Sequence, residues 1–234
     1  MDDAGRCFNM GQMPRFSRAV EVPFADFNCK YDGQSCYVIG RGPTDFDYEK
    51  LAEVREPIFF INDAVSLEKF ARSDTYFFAH DAQMLPWMNG AIRSTIVVPI
   101  DGKVFRQTPG IELHHAGNIV FYHWREEKKE ELLTMTREQI AEIKQLYTYT
   151  GTIHSVLHFV WFCGFKRVRF VGCDCISDRN GLPERLQTVD GYDPRLANLS
   201  QSASSFNYLH IGRAQILLSQ LFGLETEYVG TPQS

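Results

Sequence analysis

Five short turns in this sequence carry the side chains best suited to chemistry. The first is Gly40-Arg41-Gly42-Pro43-Thr44. Its glycines let backbone N–H groups approach an anion closely, Arg41 adds positive charge, and Thr44 can cap a following helix. The second and third are Asn62-Asp63 and His80-Asp81. The fourth, Thr150-Gly151-Thr152, places two hydroxyls and free N–H groups where a helix begins, and the helix dipole also favours negative charge there. The fifth is Gly172-Cys173-Asp174. Asn62, Asp63, Asp81 and Asp174 are residues that bind a base edge, hold ribose hydroxyls or ligate Mg²⁺; each is equally suited to capping a helix. The pattern therefore points to a phosphate-bearing ligand. Other chemistry is less well served. No G-K-S/T follows the first turn, so it is not a Walker A loop, and Asp45 stands where a G-x-G-x-x-G motif needs glycine. No G-x-S-x-G is present.

The histidines divide by position. His154 and His158 lie at i, i+4, as two zinc ligands would. No third ligand accompanies them, and a core or helix-end role is expected. His114, His115 and His123 fall in an irregular middle region. His210 lies at the start of the last predicted helix, directly after a long polar stretch, where a general base titrating near neutrality is well placed. Arg213, three residues on, can face the same pocket.

The elements that must position these turns repeat a simple grammar. Residues 36–39, 57–61 and 75–79 are short apolar runs, each followed by a polar turn, and the first two lead into a helical pattern. Continuous apolar strands alternating with helices predict a parallel sheet covered on both faces. In such a sheet, ligands bind outside the carboxyl ends of the strands, where all five turns fall. Further strands are expected at 95–99, 118–122, 167–171 and 225–229. Thr136 with Gln139 predicts a capping box opening a helix over 137–147. An apolar helix is expected over 153–163 with Gly164 as its C′ residue. The last helix, 206–222, is expected to turn Leu209, Ile216, Leu217 and Leu221 inward. Residues 101–135 read either as a flap over the site or as an insertion. Residues 177–206 are polar and aperiodic, a loop length that is usually functional or mobile. Residues 1–34 read as an irregular arm laid on the domain surface and anchored by its aromatics, with one strand near 19–22, and residues 35–234 as one α/β domain.

Composition sets outer bounds. The chain has 234 residues, 44% of them hydrophobic and 23% charged, with a net charge of −5. That is enough apolar material for a sizeable core, and the acidic balance argues against a nucleic-acid partner. The six cysteines form neither a disulfide framework nor a paired zinc motif, which suggests reduced thiols and a cytoplasmic location. No apolar run approaches the ~20 residues of a transmembrane segment, and no signal peptide is expected.

Taken in order, the turns resemble one superfamily. Val38-Ile39-Gly40-Arg41-Gly42-Pro43-Thr44, Phe60-Ile61-Asn62-Asp63-Ala64, Tyr149-Thr150-Gly151-Thr152 and Val171-Gly172-Cys173-Asp174 are similar to the Rossmann-like group of MptE-like 6-hydroxymethylpterin diphosphokinases and Campylobacter-type bacterial sialyltransferases. The resemblance spans about residues 35–230. It implies a three-layer α/β domain, with these turns lining a nucleotide pocket. In the sialyltransferases the first turn reads G-N-G-P-S, and the base is a histidine in a Y-I-G-H run. Here the run is Tyr208-Leu209-His210-Ile211-Gly212-Arg213, which puts Arg213 at the histidine position and His210 three residues earlier. The sialyltransferase likeness implies a nucleotide-sugar donor, plausibly CMP-linked, a small-molecule or glycan acceptor, and no cofactor. The diphosphokinase likeness implies ATP, with Mg²⁺ held by Asp63, Asp81 and Asp174. A non-catalytic nucleotide-binding module is the third expectation.

Overall fold

The computed structural model describes residues 15–40, 42, 44–80, 82–90, 92–100, 105, 108, 110–124, 129–148, 151–173 and 203–232, with the backbone alone at 82, 129–130, 203–210, 213 and 231–232. The strands are β1 (Arg15–Ser17), β2 (Val20–Glu21), β3 (Ser35–Ile39), β4 (Thr44–Asp45), β5 (Ile58–Ile61), β6 (Thr75–Phe78), β7 (Thr95–Pro99), β8 (Glu112–His114), β9 (Asn118–Tyr122), β10 (Arg167–Val171), β11 (Glu225–Tyr228) and β12 (Thr231–Pro232). The α-helices are α1 (Leu85–Met88), α2 (Lys129–Leu132), α3 (Arg137–Ile143), α4 (Thr152–Phe162) and α5 (Ala203–Leu221).

Eight strands form one sheet in the order β11-β10-β3-β5-β6-β7-β9-β2, and every neighbouring pair in it is parallel. The apolar runs explain this arrangement. All four residues of β6 are buried, as are three of the four in β5, so both faces need cover and helical crossovers supply it. Cys36 and Val38 of β3 point into the core shared with α3, α4 and α5. Ile39 points into the opposite core, under the 3₁₀ helices Tyr48–Ala52 and Asn62–Phe70 and under α1. The result is the expected three-layer, Rossmann-like α/β architecture.

The helix signals hold with shifted ends. Thr136 and Gln139 form the reciprocal capping box of α3, which stops at Ile143 because Lys144 takes a left-handed conformation. Helix α4 ends before Gly164, whose φ of +89° suits a glycine C′ residue. Thr44 does not cap the helix after the first turn. It lies in β4, paired with β12, and Asp47 caps the 3₁₀ helix instead by accepting from the Glu49 N–H.

The strand expected near 19–22 is β2, which joins the sheet beside β9 rather than lying on its surface, and β1 pairs with β8. Phe24 and Phe27 are buried in the core, Phe24 stacked at 4.7 Å on Phe162. Helix α5 also presents a different face. Ile216, Leu217 and Leu221 are 43%, 63% and 56% exposed, while Gln215, Leu218 and Ser219 are buried. Packing on α4 sets this rotation: Phe222 just past α5 stacks on His158 and Trp161, and Gln215 Nε2 donates to the Tyr228 hydroxyl at 3.0 Å. The Leu209 side chain lies outside the described residues. No helix among the described residues is long and apolar enough to cross a membrane.

Candidate functional site

Chain order β3, β5, β6, β7, β9 runs one way across the sheet, and β10 then returns to the other side of β3. The crossover direction therefore reverses between β3 and β10, and open α/β sheets bind ligands in the crevice at that point. Here the two strand ends are locked together. The Gly40 N–H donates to Val171 O at 2.9 Å and the Gly42 N–H to Gly172 O at 2.7 Å. A Cβ on Gly40 would lie 2.4 Å from Gly172 O; one on Gly172, whose φ is +60°, would lie 2.7 Å from Gly40 O. Both glycines are thus required by the backbone approach itself. The N–H groups of Gly40 and Gly42 are committed to this lock. Cys173 is buried, with its thiol near Val38 O and Val171 O at 3.7 and 3.6 Å.

The next strand end supplies free chemistry. Asn62 follows β5 with φ of +53°, a conformation that a short polar side chain tolerates and most others do not. Thr152 Oγ1 donates to Asn62 Oδ1 at 3.4 Å. Thr152 is the first residue of α4, whose N-cap is Gly151 with no side-chain cap bond. The Thr152 and Ile153 N–H groups precede the first turn's hydrogen bonds and have no intrahelical acceptor. An amide, a hydroxyl and a helix N-terminus thus meet beside the strand crevice, a combination suited to an anion with attached hydroxyls.

Helix α5 leans over the same place. A Cβ on Gly151 would lie 3.3 Å from the Ile211 side chain, and His154 Nε2 donates to Ile211 O at 3.1 Å. His210 and Arg213 flank Ile211 and Gly212 on α5, so their backbones sit beside the start of α4; their side chains lie outside the described residues, as do Arg41, Pro43, Asp81, Thr150 and Asp174.

Other candidates are committed to the fold. His80 is buried after β6, hydrogen-bonded through Nε2 to the Tyr122 hydroxyl, its ring 5.2 Å from Trp124. His154 and His158 are core residues. Burial lowers the pKa of both, His158 to about 3, and His158 Nδ1 accepts from the Tyr147 N–H at 2.8 Å. Asp63 lies in the first turn of the 3₁₀ helix Asn62–Phe70. Among the described residues, no group of three His, Cys, Asp or Glu could hold a metal ion.

Sequence reasoning missed Ile211 and Tyr122. Ile211 joins α5 to α4, and Tyr122 anchors His80. Each contact crosses between elements distant in the chain, 57 residues for His154–Ile211 and 42 for His80–Tyr122. No local sequence signal reports either.

No family model matches the chain, and no curated protein matches it.

Proposed function

We propose that this protein is a nucleotide-dependent transferase, a cytoplasmic glycosyltransferase using a nucleotide-activated, CMP-linked sugar. The observation that carries this reading is the Asn62–Thr152 pair at the uncapped start of α4, with the His210-bearing turn of α5 resting on Gly151. The N–H groups at the start of α4 would hold the donor phosphate, and Asn62 would hold the ribose or base. His210 would take the proton from the acceptor hydroxyl as its oxygen bonds to the anomeric carbon. The bond from that carbon to the phosphate oxygen breaks, and the nucleotide leaves with its added negative charge stabilised by Arg213 or Arg41.

A thermal-shift screen over CMP, CDP, UDP, GDP and ATP, with and without Mg²⁺, tests the reading. A ligand present at about 100 times its Kd adds ~2.7 kcal/mol of stability, a clear rise in Tm. Stabilisation by CMP without Mg²⁺ is the expected result. Stabilisation by ATP only with Mg²⁺ would favour diphosphoryl transfer, and silence from every nucleotide would overturn the proposal. His210→Ala should then abolish turnover while keeping nucleotide binding. Binding without turnover of any donor in the unaltered protein would leave a non-catalytic module.

A further inference from the structure

At the opposite edge of the sheet, the amino ends of the strands floor an open groove of about 650 Å³. Lys30, Arg55, Arg72 and Arg93 line it, against one lining carboxylate, Asp74. This concentration of positive charge stands on a chain whose net charge is −5.

The cations differ in what they do. Arg93 serves the fold: its guanidinium donates to Glu68 O and Ala71 O and lies 3.6 Å from the Glu68 carboxylate. Arg55 and Arg72 have no acidic partner within 4 Å among the described residues. Lys30 Nζ donates to the Tyr76 hydroxyl at 3.5 Å. Tyr76 is hydrogen-bonded to the Tyr31 hydroxyl, which donates to Asp74 Oδ2 at 3.1 Å. The one acid is therefore engaged from within, and burial raises both phenol pKa values, keeping the relay protonated. Ser73 also lines the groove, but its hydroxyl is turned away from solvent.

The aromatic rings here offer no free face. Tyr31 stacks on Phe165 at 4.8 Å, with Lys30 over its ring, and Tyr76 stacks on Phe59 at 4.8 Å, with Phe27 against it edge-on. The groove offers charge and hydroxyl groups but no platform for a nucleobase.

We infer that this groove is a second anion site, for a compact ligand with two phosphate groups and no base. Lys30, Arg55 and Arg72 bind its phosphates. The site is separate from the carboxyl-end crevice and does not depend on the function proposed for that crevice.

Calorimetric titration of the full chain with inorganic diphosphate, without metal ions and at low salt, tests this. One diphosphate per chain is expected in the groove, distinguished by its arginine dependence from any bound at the start of α4. Arg55→Gln and Arg72→Gln should each weaken it by about tenfold, the loss of one charge-assisted hydrogen bond. Both residues are exposed, and an unchanged Tm would verify folding. A hexose bisphosphate binding more tightly than diphosphate, with the same arginine dependence, would identify an organic ligand; the reverse order would identify the inorganic ion. Absence of binding, wild-type affinity in both arginine variants, or displacement by adenosine would each overturn the assignment.

Discussion

Replacing Gly172 by alanine should loosen the junction of β3 and β10 on which the crevice depends, and two other glycines separate the reasons. Gly223 has φ of +63° but nothing within 4 Å of a new Cβ. Gly223→Ala therefore bears only the left-handed backbone cost, ~1–2 kcal/mol. Gly40 lacks a positive φ, yet its new Cβ would meet Gly172 O at 2.4 Å. Gly40→Ala bears the overpacking cost, ~1–3 kcal/mol. Gly172 has both, with backbone oxygens of Gly40 and Gly42 at 2.7 and 3.1 Å from the new Cβ. Moving it away also weakens the bond from the Gly42 N–H, adding ~1 kcal/mol. Gly172→Ala should thus cost ~3–6 kcal/mol, a large part of a typical domain's stability. Equilibrium urea denaturation of the three variants reads these values directly, provided the slope with denaturant stays constant. The expected order is Gly172, then Gly40, then Gly223. A Gly172→Ala protein no less stable than Gly223→Ala would refute the close-approach argument.

Three further outcomes follow from named contacts. His158 is neutral in the folded protein, its pKa lowered to about 3 by burial, against ~6.5 when unfolded. The unfolded chain binds more protons between these values, so stability is complete above pH ~6.5 and falls as the pH drops towards 3, by ~2 kcal/mol at pH 5. His158→Phe should remove that part of the acid sensitivity, and parallel pH–stability curves for the two proteins would contradict it. Glu68 accepts from the Arg93 N–H at 2.8 Å and from Thr75 Oγ1 at 3.3 Å in a buried setting. Glu68→Ala should cost ~3 kcal/mol in chemical denaturation, whereas a loss under ~1 kcal/mol would show that water replaces those bonds. Asn62→Gly keeps the positive φ and removes the amide, so it should weaken nucleotide binding with little change in Tm; unchanged nucleotide affinity would remove Asn62 from the site.

The sequence by itself determined the parts that local physics controls. The stretches at 36–39, 57–61, 75–79, 95–99, 118–122 and 167–171 coincide with six parallel strands to within a residue, because buried strands need apolar side chains that alternating surface strands do not. Thr136 with Gln139 and Gly164 marked helix ends, since capping acts within a few residues. The turns at Gly40, Asn62, Gly151 and Gly172 were legible as strand or helix ends for the same reason.

Only the tertiary structure decided what those turns do. It consumed the Gly40 and Gly42 N–H groups in a backbone lock with β10, and it joined Asn62 to Thr152 across 90 residues. It rotated α5 so that Gln215 and Leu218 are buried while Ile216 and Leu217 are exposed. Side-chain hydrophobicity favours burial without naming a partner, so a helix with apolar residues on several sides takes its orientation from the surface it meets. The basic groove has the same origin. Lys30, Arg55, Arg72 and Arg93 lie on separate connections and meet because a parallel sheet brings all its strand starts to one edge.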